Sequence, residues 1–129
     1  MNQLWAPWRM TYIDDGTQEP GCIFCIKYQQ SDLKAGLVLT HSRHSVVMLN
    51  KYPYSNGHLL VAPKRHENSL ASLPGEEFAD LSEPLRRSAE VIKKNLKPSG
   101  MNLGMNLGKC AGAGIADHLH WHIVPRWEG

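Results

Sequence analysis

Three histidines alternate with apolar residues in His118-Leu-His120-Trp-His122-Ile-Val-Pro125, out of seven histidines in the whole chain. On an extended strand successive side chains point to opposite faces. These imidazoles therefore share one face, and Leu119, Trp121 and Ile123 occupy the other. Imidazole is a competent nucleophile when neutral and a proton donor when charged, and it changes between the two near neutral pH. A row of imidazoles lets one attack, lets a neighbour fix its tautomer and lets another group protonate a leaving oxygen. The same His-x-His spacing also suits two zinc ligands, so the pattern alone leaves both chemistries open. A glycine-rich run, Gly108-Lys-Cys-Ala-Gly-Ala-Gly114, precedes the histidines. Gly108, Gly112 and Gly114 allow backbone amides to approach phosphate oxygens, and Asn106 stands just before them as a further donor. Cys22-Ile-Phe-Cys25 has the spacing of one half of a structural zinc site. Cys110, inside the glycine run, has a thiol open to oxidation and no role assigned by the sequence. His41 and His44 repeat a His-x-x-His spacing without a nearby cysteine and read as surface residues.

These groups need elements to hold them. The apolar, β-branched stretches Leu37–Thr40, Ser45–Asn50 and His58–Ala62 are divided by turn-forming residues and read as three antiparallel strands. After Pro74, Phe78, Leu81, Leu85, Ile92 and Leu96 recur at helical spacing, with charged residues elsewhere, which predicts one amphipathic helix kinked at Pro84. Its acidic start and basic end suit the helix dipole. Met101–Leu107 reads as a glycine-punctuated strand, and His118–Val124 as the last strand. The expected fold is α+β: an antiparallel sheet of about five strands with one main helix against one face. The segment Gly16–Gly21 reads as a surface loop.

The chain has 129 residues, 42% of them apolar and 20% charged, which suits one soluble domain over residues 1–129 and excludes disordered and fibrous classes. A formal charge of +2 gives no argument for nucleic acid or membrane binding. The first ten residues have no uninterrupted apolar run of the secretory kind, and no stretch reaches membrane-spanning length. Three cysteines fit a reducing compartment better than a disulfide framework, so the expected location is cytoplasmic.

His118–Val124 fits the His-φ-His-φ-His-φ-φ signature, with φ apolar, of the histidine triad family, and the chain resembles that family well beyond this motif. Asn56-Gly-His58-Leu-Leu-Val-Ala-Pro-Lys-Arg-His66 is similar to its central strand, and Cys22-Ile-Phe-Cys25 to its bacterial amino-terminal element. Leu4-Trp-Ala-Pro-Trp-Arg9 and Ile123-Val-Pro-Arg-Trp127 resemble the subgroup of diadenosine tetraphosphate phosphorylases and hydrolases. The resemblance implies an enzyme in which His120 attacks an α-phosphorus and becomes a nucleotidyl-histidine. It implies that His122 bonds the phosphate or leaving oxygen, that His58 joins the network around the nucleophile, and that Asn50 contacts the ribose hydroxyls. It also implies a structural zinc on Cys22, Cys25, His66 and His118, and a homodimer whose interface covers Trp5 and Trp8. The Gly-Gln-Ser or Gly-Gln-Thr that many members carry before the triad is replaced here by Gly112-Ala-Gly-Ile-Ala-Asp117, in a loop one residue longer, which makes nucleoside phosphoramidate hydrolases a poorer match. The subgroup usually continues past the position of Gly129 with a tail that shapes the pocket. Water or phosphate as acceptor gives a hydrolase or a phosphorylase. Rival readings are a sugar-phosphate nucleotidylyltransferase, which usually has Gln where this chain has His122, and a non-catalytic nucleotide-binding scaffold.

Overall fold

The computed structural model describes residues 21–53, 55–115 and 117–129. The expectations for Leu4 to Arg9, for Trp5 and Trp8, and for most of the Gly16–Gly21 loop lie outside the described residues. Five strands, β1 (Val38–His41), β2 (Ser45–Leu49), β3 (Leu59–Pro63), β4 (Gly100–Met105) and β5 (Trp121–Arg126), form one antiparallel sheet in the order β1-β2-β3-β5-β4. The α+β, five-strand expectation is met. Among the described residues three α-helices accompany the sheet: α1 (Ile23–Ile26), α2 (Gly75–Ala79) and α3 (Ser82–Leu96).

Period-two alternation gives each strand two working faces. Val47, Leu59, Val61 and Ile123 pack with Ile92 of α3, supported by Leu85 and Trp121. From the same strands Val46, Met48, Leu60 and Ala62 turn the other way, onto Phe24 of α1 and its neighbours Ile23, Tyr28 and Ile115. With both faces covered, β3 is buried along its whole length. A smaller cluster joins Leu73, Leu81 and Leu119, with Met105 of β4 and Trp121 of β5 packed against it.

Two sequence expectations shift. The single helix divides at Asp80 and Leu81 instead of kinking at Pro84. A proline ring clashes with the carbonyl four residues back, here that of Asp80, so one continuous helix cannot run through both. Placed in the first turn of α3, Pro84 loses no intrahelical bond, since amides there have no partner within the helix. The final strand begins at Trp121, not His118, because the preceding stretch is held otherwise: Leu119 N–H donates to the Glu67 carbonyl at 2.8 Å. That bond lays His118 beside the segment carrying His66.

Candidate active site and metal centre

His122 lies opposite Leu60 in the β3–β5 ladder and so belongs to the Phe24 side of the sheet, away from α3. Trp121 and Ile123 face the helix, as alternation requires. His120 and His118 continue the row beyond the strand. The Phe24 ring, itself fully buried, packs against both, with centroids 5.1 Å from His118 and 4.9 Å from His120. The His120 and His122 rings meet edge-on at 4.8 Å. All three imidazoles are buried, and His58 with them.

The tautomers follow from the partners. His120 Nδ1 lies 2.8 Å from the His118 carbonyl, and a carbonyl only accepts, so Nδ1 carries the proton. The lone pair of neutral His120 is then on Nε2. His118 Nε2 donates to the Pro63 carbonyl at 2.7 Å, which leaves its Nδ1 as an acceptor or ligand atom. His58 Nε2 and His122 Nδ1 are 2.8 Å apart, and Asn50 Nδ2 is 3.2 Å from His58 Nδ1. His58 is set in place by the turn before β3, where Gly57 has φ +79° and a Cβ would drive into Leu96. Its amide donates to the Ser55 carbonyl, while Ser55 Oγ donates to the Pro125 carbonyl at 2.6 Å, so the turn is tied to β5.

On the other side of His118 its Nδ1 approaches Cys22 Sγ at 3.2 Å, Cys25 Sγ at 3.6 Å and His66 Nδ1 at 3.2 Å, and Cys25 Sγ is 3.4 Å from His66 Nδ1. These four ligand atoms lie within 4.8 Å of one another, a group that could hold a metal ion. Cys22 begins α1, receiving the amides of Cys25 and Ile26 on its carbonyl, so the two thiols fall on one side of a single helical turn. The donor set fits zinc: metal–ligand distances of about 2.0–2.3 Å put tetrahedral ligand atoms roughly 3.3–3.8 Å apart. The hydrogen bond from His118 to Pro63 is the outer support that zinc-bound imidazoles usually have. Burial foremost, with His66 and His120 adding to it against the Pro63 hydrogen bond, pulls the His118 pKa from 6.5 down to about 4. Burial and the adjoining Cys22 push the Cys25 thiol up to about 11. Neutral imidazole is the ligand form, and a bound cation would deprotonate the thiol outright.

The glycine loop folds back on itself, with Gly112 N–H donating to the Lys109 carbonyl at 3.0 Å and Ala113 N–H to the Gly108 carbonyl at 3.2 Å. Gly112 has φ +96°, and a Cβ there would lie 3.5 Å from Asn106 Nδ2, so this glycine and Asn106 are neighbours. Gly114 is exposed, while Ile115 returns to pack on the Phe24 side of the sheet. His41 and His44 stand apart from the metal group: exposed His41 accepts from Lys64 at 3.0 Å, and His44 lies near Glu77 and Asp80 at 3.6 and 3.7 Å. Two participants escaped the sequence reading, Phe24 and the Pro63 carbonyl. Phe24 sits inside the Cys-x-x-Cys spacing, so bringing both thiols to His118 delivers it to the imidazoles.

A family model described as the HIT domain matches residues 34–129. The AP-4-A phosphorylase of Mycobacterium tuberculosis is 38% identical over 137 aligned positions, covering 100% of this chain and 70% of the relative. Among solved structures, a hypothetical histidine triad nucleotide-binding protein of Sulfolobus tokodaii superposes with a TM-score of 0.71 at 34% identity, over 84% of this chain and 70% of that one. A Zn-bound histidine triad family protein of Mycobacterium smegmatis gives a TM-score of 0.65 at 31% identity, covering 72% of this chain and 67% of the other.

Proposed function

This chain belongs to the HIT domain family, and on that premise we propose that it transfers a nucleotidyl group from dinucleoside polyphosphates through a covalent intermediate on His120. The observation that carries this reading is the hydrogen bond from His120 Nδ1 to the His118 carbonyl, which puts the lone pair on Nε2. In the first step Nε2 bonds to the α-phosphorus as the bond to the bridging oxygen breaks, and the remaining nucleoside polyphosphate leaves as an anion. The positive charge that develops on the ring is eased by the carbonyl already accepting from Nδ1. His122 meets the phosphate or leaving oxygen, supported by His58. Asn106 and the loop at Gly112 and Gly114 sit where a close backbone approach to phosphate is possible. In the second step phosphate or water attacks the same phosphorus and frees His120.

Similarity to the mycobacterial AP-4-A phosphorylase over the whole chain favours phosphate as acceptor. Diadenosine tetraphosphate incubated with inorganic phosphate is expected to give ADP and ATP. AMP and ATP, formed equally with and without phosphate, indicate hydrolysis, and an unchanged substrate in both incubations rejects the reading.

Cys22, Cys25, His66 and His118 would hold zinc, which when bound cross-links the amino-terminal helix to the segments at the ends of β3 and before β5. We take residues 1–129 as one domain acting as a cytoplasmic homodimer, the exposed edge strand β4 with Leu103 offering a pairing surface. Sedimentation at the mass of one chain would overturn the dimer. Among the described residues no helix is long and apolar enough to cross a membrane.

A further inference from the structure

The sequence resemblance gives Asn50 to the ribose, and in the folded chain each end of its amide also meets a protein partner. Asn50 Oδ1 accepts the Tyr52 backbone N–H at 2.9 Å, and because that partner can only donate, it identifies this end of the amide as the oxygen. The other end, Nδ2, is then the atom 3.2 Å from His58 Nδ1. An amide nitrogen only donates, so His58 Nδ1 must accept, and the single proton of neutral His58 lies on Nε2. That proton points at His122 Nδ1, 2.8 Å away, which must accept in turn. The proton of neutral His122 is therefore on Nε2, which makes that nitrogen a donor. The strand ends hold the arrangement, since Asn50 N–H also donates to the His58 carbonyl at 3.0 Å.

We infer that Asn50 is a positioning residue whose amide dictates the tautomers of His58 and His122, so that His122 presents N–H and not a lone pair to the substrate. The inference rests on the nucleotidyl-transfer reading for its consequence, though its chemistry can be read without turnover. A carboxylate at this position would accept at both ends and demand a proton on His58 Nδ1. Alanine would demand nothing and leave the two rings to mix tautomers.

The test uses the zinc-loaded protein labelled with ¹⁵N in its histidine rings, as wild type, Asn50→Asp and Asn50→Ala. Nitrogen spectra separate protonated from unprotonated ring atoms. The wild type is expected to show an unprotonated His58 Nδ1 and a protonated His122 Nε2. His58 Nδ1 should gain a proton in Asn50→Asp, and its signal should shift in Asn50→Ala. A proton on His58 Nδ1 in the wild type, or ring signals that do not move in Asn50→Asp, overturns the inference. If Asn50→Ala folds poorly, the aspartate variant decides, since it keeps the size and shape of the side chain. Kinetics add a second arm. A positioning role predicts that Asn50→Ala lowers kcat on the order of 10- to 100-fold, equally for diadenosine tetraphosphate and its 2′,3′-dideoxy analogue. A rise in KM alone, absent with the deoxy substrate, returns Asn50 to the ribose and rejects the proposal. Should no dinucleotide be turned over by the wild type, the functional reading fails while the nitrogen spectra still judge the tautomers.

Discussion

At the scale of the residue, His118 works through two different parts. Its ring belongs to the Cys/His cluster that could hold a metal, and its carbonyl orients the ring of His120. Replacing His120 with Asn keeps a polar group of similar reach and removes the proposed nucleophile. Turnover is expected to fall by roughly 10⁴-fold or more while nucleotide binding persists. A steady-state assay paired with equilibrium binding checks this, and turnover within tenfold of wild type dismisses His120 as the nucleophile. For His118 the consequence concerns pH. Its pKa near 4 lies below the unfolded value of 6.5, so between these limits the unfolded chain binds the extra proton. Metal-free protein should therefore lose stability as the pH falls from about 6.5 toward 4. Cys25 acts at the opposite end, because a thiol held near 11 makes the unfolded chain the better acid and lowers stability as pH rises from 9. Urea midpoints of metal-free protein at pH 5, 7.5 and 10 should be highest at 7.5. A midpoint that rises on going to pH 5 contradicts the His118 part.

At the scale of the element, the turn between β2 and β3 carries His58 and depends on Gly57. With φ +79° and Leu96 where a Cβ would go, Gly57→Ala adds backbone strain to a clash. It should cost about 1–3 kcal/mol and lower the thermal midpoint. Calorimetry on the variant tests this, and an unchanged midpoint rejects it. How far these elements were legible in the sequence follows from how local their causes are. The alternation of Val46, Val47 and Met48, or of Leu59 through Ala62, is a local signal, and β1 to β4 each lie within two residues of their expected bounds. The helix break was misplaced because the expectation put the cost of Pro84 at its own position, whereas the steric conflict falls on Asp80, four residues earlier. The start of β5 was misplaced because a bond to Glu67, distant in the chain, takes Leu119 out of the ladder. At the site, the row of imidazoles was plain from spacing. The tautomers were not, since they hang on the Pro63 carbonyl, the His118 carbonyl and the Tyr52 amide, main-chain groups that every sequence contains.

At the scale of the whole molecule, the cluster of two cysteines and two histidines links segments that are far apart in the chain, with Cys22 and His118 separated by 96 positions. One zinc per chain is expected from metal analysis of gently purified protein, and Cys22→Ser should lose it. Because Phe24 lies between the two cysteines and packs on His120, chelation should lower the thermal midpoint and turnover together. Zinc unchanged in Cys22→Ser, or absent from the wild type, rejects the metal reading. The strand order β1-β2-β3-β5-β4 has a bearing on how the molecule is made. A ribosome releases β1 to β4 before the strand that sits between β3 and β4. Until β5 arrives, the hairpins on one side and β4 on the other have no ladder joining them, and His120 and His122 are still inside the exit tunnel or just beyond it. Synthesis thus delivers the row His118, His120 and His122 together with the strand that closes the sheet. A nascent chain halted before Trp121 lacks His122 and the strand that joins β3 to β4, so the His58–His122 pair and the completed sheet come in the same event.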